Sequence, residues 1–205
     1  MFITLEGTEG VGKTTQANLL EEFFTKNGYE VVRTREPGGG GQVGDMVRSV
    51  LINVHNVDTM SELLLIYAAR RQHLITTIIP ALEQKKIVIC DRYYDSSVAY
   101  FAYNQTDIPA AKQIVDYLHT TCAFGIMPTL TILLDGNPAE FTQRINTRGI
   151  IGKYDAMSIE DISKIRNVFH HIAQQHTSRV KIVDATQTTN HVHQQITTLI
   201  NTIKQ

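Results

Sequence analysis

Tryptophan is missing from this chain, and cysteine nearly so: Cys90 and Cys122 are the two thiols in 205 residues. They form no C-x-x-C pair, so both are expected as reduced core residues of a cytoplasmic protein. Neither sign of charge prevails: 19 basic side chains against 20 acidic ones leave −1. That balance gives no electrostatic footprint for nucleic acid. No apolar run is long enough to cross a bilayer, so no membrane partner is expected. The first residues lack a basic region followed by a long apolar stretch, so no secretory leader is expected either. The 8 histidines do not form a metal pattern. His170-His171 and His191-x-His193 do not put two rings on one helix face, and no cysteine or carboxylate cluster lies beside them. No repeat, low-complexity block or linker interrupts the chain, and its length suits one domain over residues 1–205.

What is present begins at once. Phe2-Ile3-Thr4-Leu5 reads as a buried strand. It runs into Gly7-Thr8-Glu9-Gly10-Val11-Gly12-Lys13-Thr14, which matches G-x-x-x-x-G-K-[ST]. Thr15 and an apolar-periodic segment through Phe24 follow as a helix. Strand, glycine-rich turn and helix is the context a phosphate-binding loop requires. Glycines let successive N–H groups point inward around an anion, and the helix adds the positive end of its dipole. Lys13 can reach the β- and γ-phosphates of a nucleotide, and the Thr14 hydroxyl can ligate Mg²⁺.

Further strands are expected at Tyr29–Thr34, Lys86–Asp91, Thr129–Asp135 and Arg179–Val183. Helices are expected at Val43–Ile52, Tyr93–Tyr103, Pro109–Ala123, from Asn137-Pro138, from a Ser158/Asp161 cap to about His176, and from about Asn190. Met60–Glu83 reads as one long helix, apolar on most sides and therefore buried, with Pro80 bending it or marking its last turn. Alternating strands and helices predict an α/β fold with a mostly parallel sheet and ligands at the strand ends. The motif loops fall at such ends: Gly7–Thr14, Arg35–Gly41 and Asp91-Arg92-Tyr93.

Neither the N-K-x-D nor the D-x-x-G string of a GTPase occurs. Instead Arg35, Arg48, Arg70, Arg71 and Arg92 stand at predicted strand ends and on facing helices. Arginine grips phosphate oxygens as a fork, so the set suits a second anionic substrate. Arg70 and Arg92 lie in apolar segments, where an unpaired charge is costly.

Thr34-Arg35-Glu36-Pro37-Gly38-Gly39, Tyr67-Ala68-Ala69-Arg70, Asp91 through Tyr100 (DRYYDSSVAY), Arg148-Gly149 and Val183-Asp184-Ala185-Thr186-Gln187 resemble the thymidylate (dTMP) kinase family in order and spacing over nearly the whole chain. The resemblance implies a P-loop NTPase three-layer fold: a five-stranded parallel sheet flanked by helices, with a short lid over about residues 146–157. It implies ATP-dependent phosphorylation of dTMP to dTDP, Mg²⁺, and a homodimer built on helices. Lys13 and the loop amides Gly7, Thr8, Glu9, Gly10, Val11 and Gly12, with Thr14 and Thr15, would hold ATP. Asp91 would support the metal beside Thr14. Arg92 would bridge the donor and acceptor phosphates, and Arg48 would hold the acceptor. Glu36-Pro37 would line the acceptor site, Arg70 would read the base with Ser96 and Ser97 beside it, and Tyr100 would pack near the sugar. The family supplies a transition-state cation either from inside the loop or from the lid; Thr8, Glu9, Gly10 and Val11 include none, so the resemblance implies that the lid does, through Arg148 and Lys153, with Arg144 against the adenine.

Ile66 stands where the family usually has a phenylalanine stacked on thymine, and Phe101 where glutamine is frequent. Gly40 and Gln105 also depart from the pattern. Phe101 could restore a ring from the other side of the base. Three readings follow: a pocket repacked around dTMP, a pocket for another deoxypyrimidine monophosphate such as dUMP or a 5-substituted relative, or a nucleotide-binding switch without turnover.

Overall fold

The computed structural model of the chain describes residues 1–54, 56–142, 154 and 156–203. Five parallel strands form one sheet in the order β2-β3-β1-β4-β5. They are β1 (Phe2–Glu6), β2 (Val31–Arg35), β3 (Ile87–Asp91), β4 (Leu130–Asp135) and β5 (Val180–Asp184). β1 lies at the centre, and all its residues are buried. Alternation along it feeds two cores. Ile3 and Leu5 face a cluster with Leu20, Phe24, Ile132, Val192 and Ile196, while Phe2 joins Val88, Tyr93, Val98, Val115 and Phe169 on the opposite side. Continuous apolar strands of this kind belong to parallel sheets covered on both faces.

The first cover comes from α1 (Lys13–Lys26) and, at the end of the chain, Thr189–Ile203. α1 ends in a Schellman turn: Gly28 has φ 81°, Gly28 N–H donates to Thr25 O at 3.0 Å, and Tyr29 N–H donates to Phe24 O at 3.1 Å. Tyr29 then packs edge-on against Phe24. That closure keeps Tyr29 out of β2, which starts two residues later than expected.

α2 (Gln42–Asn53), α3 (Thr59–His73), α4 (Ile79–Glu83), α5 (Tyr94–Ala102), α6 (Ile108–Cys122) and α7 (Ile159–Gln175) follow, with α8 spanning Thr189–Ile203. Residues 138–142 are also helical. The expected single helix over 60–83 is α3 and α4 joined by a π-helical turn, Leu74–Ile78, in which Ile79 N–H reaches back to Leu74 O. The turn precedes Pro80, whose ring and missing N–H do not fit a regular α-helix. Nor is the segment buried on most sides. Leu63, Leu74 and Ile78 are buried, but Leu64 and Ile75 are exposed. The cap at α7 is as expected: Ser158 Oγ accepts from Asp161 N–H at 3.1 Å. Both thiols are free, Cys90 buried and Cys122 half-buried.

Candidate active site

A cleft of about 1050 Å³ opens at the carboxyl ends of β1, β2 and β3. Its floor is the loop between β1 and α1. Gly7 has φ 132°, and a Cβ there would lie 2.3 Å from Leu134 O, so only glycine lets the chain leave β1 this way. Glu9, Gly10, Val11, Gly12, Lys13, Thr14 and Thr15 line the cleft, while Thr8 is buried beneath it. Lys13 Nζ donates to Gly7 O at 3.2 Å and to Thr8 O at 2.6 Å. Burial, helped by Arg92, lowers its pKa to about 8. Thr14 Oγ1 donates to Asp91 Oδ2 at 2.7 Å, joining the loop to the end of β3.

Arg92 follows Asp91 with φ 71°. Its Nη1 donates to Gly7 O at 2.9 Å and Ser96 Oγ at 3.0 Å, and its Nη2 donates to Glu9 Oε1 at 2.5 Å and Tyr100 Oη at 3.0 Å. Burial is the largest influence and opposes its charge, but Glu9, Tyr100, Asp91 and Glu6 together outweigh it and raise the Arg92 pKa, so it stays charged. The guanidinium thus stands between the phosphate loop and the other half of the cleft.

That half is built by β2, α2, α3 and α5. Glu36 is buried, and its carboxylate accepts from Arg70 Nε at 2.6 Å and from His73 Nδ1 at 2.9 Å. Burial alone would raise the Glu36 pKa, but Arg70 and His73 prevail and hold it below the usual range. Arg70 lies between the Tyr67 and Tyr93 rings, 4.7 Å and 4.6 Å from their centroids, and its Nη2 donates to Ser97 Oγ at 2.9 Å. Its Nη1 has no partner among the described residues. Arg48 Nη1 donates to Pro37 O at 3.0 Å. Burial and Arg35 both weigh against the charge on Arg48, a setting that an anion would relieve. Ile66, Ser96, Ser97 and Tyr100 line the same wall.

Two sequence expectations need correction here. Phe101 is a core residue that does not line the cleft. Ser97 and Tyr100 occupy the cleft face of α5, and one residue further the helix has turned about 100°. Phe101 therefore restores no ring to the pocket. Arg71 also points away: Nη1 donates to Cys122 O at 3.2 Å, and the guanidinium covers Phe124. Arg35, Arg48, Arg70 and Arg92 do converge. Arg144, Arg148 and Lys153 lie outside the described residues.

Sequence reasoning missed several residues. His73 bridges Glu36 and Thr34 Oγ1, the latter at 2.7 Å. It also fills the space a Cβ at Gly40 would need, 2.6 Å from His73 Cα, so the glycine departure fits a loop closed on His73. Tyr154 lines the cleft, packs on Tyr100 and donates to Glu62 Oε2 at 3.1 Å. Ala185, Gln187, Thr188, Thr189 and Val192 wall the end beyond the phosphate loop. Only the Val183–Gln187 match pointed there.

A phosphate-loop fold and a second, arginine-lined pocket sharing one cleft on a parallel sheet are the arrangement of a P-loop kinase acting on a nucleoside monophosphate. Comparison with known proteins narrows this. The thymidylate kinase family model matches residues 5–196. Thymidylate kinase of Clostridium novyi is 36% identical over 200 residues, covering 95% of each chain. That of Syntrophotalea carbinolica is 38% identical, covering 93% of this chain and 90% of its own. The crystal structure of thymidylate kinase from Ehrlichia chaffeensis superposes with a TM-score of 0.78 at 32% identity, covering 98% of both chains. The chain belongs to the thymidylate kinase family.

Proposed function

We propose that the protein transfers the γ-phosphoryl group of ATP to dTMP, giving ADP and dTDP, in one domain over residues 1–205 with a lid near 146–157. The observation that carries this reading is the shared cleft in which Arg92 stands between the phosphate loop and the Glu36–Arg48–Arg70–Ser97 pocket. ATP lies with its phosphates on Gly7–Thr15 and its adenine toward Ala185–Val192. The dTMP phosphate meets Arg48 and Arg92, its base lies against Ile66 and Ser97, and Arg70 Nη1 has a donor to give it. Tyr100 and Tyr154 close the sugar side. The acceptor is a phosphate monoester with a second pKa of about 6, already a dianion at neutral pH, so no general base is needed. What the chain supplies is alignment and charge neutralisation.

Thr14 Oγ1 and Asp91 Oδ2 are two hard oxygen donors side by side at the mouth of the loop, which fits Mg²⁺ completed by water and phosphate oxygens. Bound there, the ion would neutralise phosphate charge. A homodimer belongs to the same reading, supported by exposed apolar side chains such as Met46, Leu64 and Tyr117 on α2, α3 and α6. A cytoplasmic location agrees with the two free thiols.

Thermal denaturation with dTMP and no ATP tests the acceptor pocket alone. Saturating dTMP should raise Tm by about 5 °C or more, as expected for ligand linkage in a domain of this size. No shift with any monophosphate would leave a nucleotide-binding switch instead.

A further inference from the structure

Glu6 ends β1 just before the phosphate loop and is fully buried. A carboxylate in such a place is costly unless its oxygens are satisfied. Both are engaged by the turn from β3 into α5. Tyr93 N–H donates to Oε1 at 2.8 Å, and the Ser96 hydroxyl donates to Oε2 in a short contact. That turn needs holding: Arg92 has a left-handed backbone, and α5 begins without a side-chain cap of its own. Glu6 supplies the missing acceptor from a neighbouring strand, at the positive end of the helix.

Ser96 is where this buried network meets the cleft. Its oxygen accepts from Arg92 Nη1 at 3.0 Å while its proton goes to Glu6. The carboxylate therefore fixes the polarity of Ser96 and leaves the hydroxyl lone pairs to the guanidinium. The same Nη1 rests on Gly7 O, so the chain Glu6–Ser96–Arg92 ends on the phosphate loop. We propose that Glu6 is a positioning residue for phosphoryl transfer, setting the Arg92 guanidinium between donor and acceptor phosphates through Ser96. This rests on the reaction proposed above. Burial and Asp95 push the Glu6 carboxyl up to about 7, against the Ser96 hydroxyl, Arg92 and the Tyr93 amide. Assay at pH 8, above that value, favours the charged form.

Glu6→Gln is isosteric and keeps an acceptor for Tyr93 N–H, but its amide must donate to Ser96 Oγ and so competes with Arg92. Ser96→Ala cuts the link from the other side. Steady-state kinetics at pH 8 on the wild type, both single variants and the double variant test the idea, alongside their Tm values. Glu6→Gln should lower kcat about tenfold or more with KM for ATP and dTMP within about threefold, as for a contact used in the transition state. In the Ser96→Ala background, Glu6→Gln should cost less than about threefold further, because both act on one link. Unchanged kcat in Glu6→Gln, or losses that simply multiply in the double variant, would overturn the proposal. If Glu6→Gln does not fold, Ser96→Ala decides: a drop in kcat at preserved KM supports the link, and unchanged kcat removes it. Wild-type turnover reports separately on the reaction itself. If another monophosphate is the acceptor, the same ratios are read with that substrate, and an inactive wild type overturns the reading on which the proposal rests.

Discussion

Lys13 is turned back onto the carbonyls of Gly7 and Thr8, buried and beside Arg92. Its pKa of about 8 means that it carries charge below that pH and loses it above. Phosphate binding favours the charged form, so ATP should bind the free protein more weakly as pH rises past 8. Between pH 7.5 and 9.5, where ATP itself no longer titrates, its Kd should rise about threefold or more in calorimetric titration. Lys13→Met should bind weakly at both values, with the pH dependence gone; a flat wild-type profile would contradict this role for Lys13. The residues legible in the sequence were those bound to a local pattern: Lys13 and Thr14 in the loop, Asp91 and Arg92 at a strand end. Glu6 and His73 escaped notice because their partners lie far along the chain, Ser96 for one and Glu36 for the other. Phe101 was misplaced because a motif position does not reveal which way a helix turns its next residue.

The central strands β1, β3 and β4 were the most readable elements, since a sheet covered on both faces favours near-continuous apolar runs there. Element ends were read least well where a capping turn takes residues from the next element, as in the Schellman turn whose Tyr29–Phe24 packing closes α1 and delays β2. The π-helical turn before Pro80 could not be read at all: the proline signalled an irregularity without saying which kind. The lid carries the boldest element-scale expectation. No cation is present among Thr8, Glu9, Gly10 and Val11, so Arg148 and Lys153 are expected to add the charge that stabilises the transferred group. Arg148→Ala combined with Lys153→Ala should lower kcat at least about tenfold while dTMP binding stays within about threefold, because the pocket of Glu36 and Arg70 is untouched. Full activity in that double variant, measured by ADP release, would remove the lid from the mechanism.

At the scale of the whole molecule, two half-sites that are far apart in sequence become one cleft because β1 and β3 are neighbours in the sheet. The phosphate loop follows one strand and Asp91-Arg92 ends the other, which is why Thr14 and Asp91 can touch. Arginines from β2, α2 and α3 complete the acceptor side. Ile66 gives the proposed base pocket an aliphatic wall, and loss of a stacking ring there is expected to cost on the order of 1–3 kcal/mol by analogy with single-strand stacking platforms. In the proposed reading the buried Arg70–Glu36–Ser97 arrangement is what meets the base. The decisive measurement is coupled ADP release with ATP and Mg²⁺, comparing kcat/KM for dTMP, dUMP, dCMP, dGMP and UMP. A kcat/KM for dTMP at least about tenfold above every other acceptor is expected, as buried polar groups discriminate more strongly than lost bulk. A preference for another monophosphate, or no turnover with any, would contradict dTMP as the substrate.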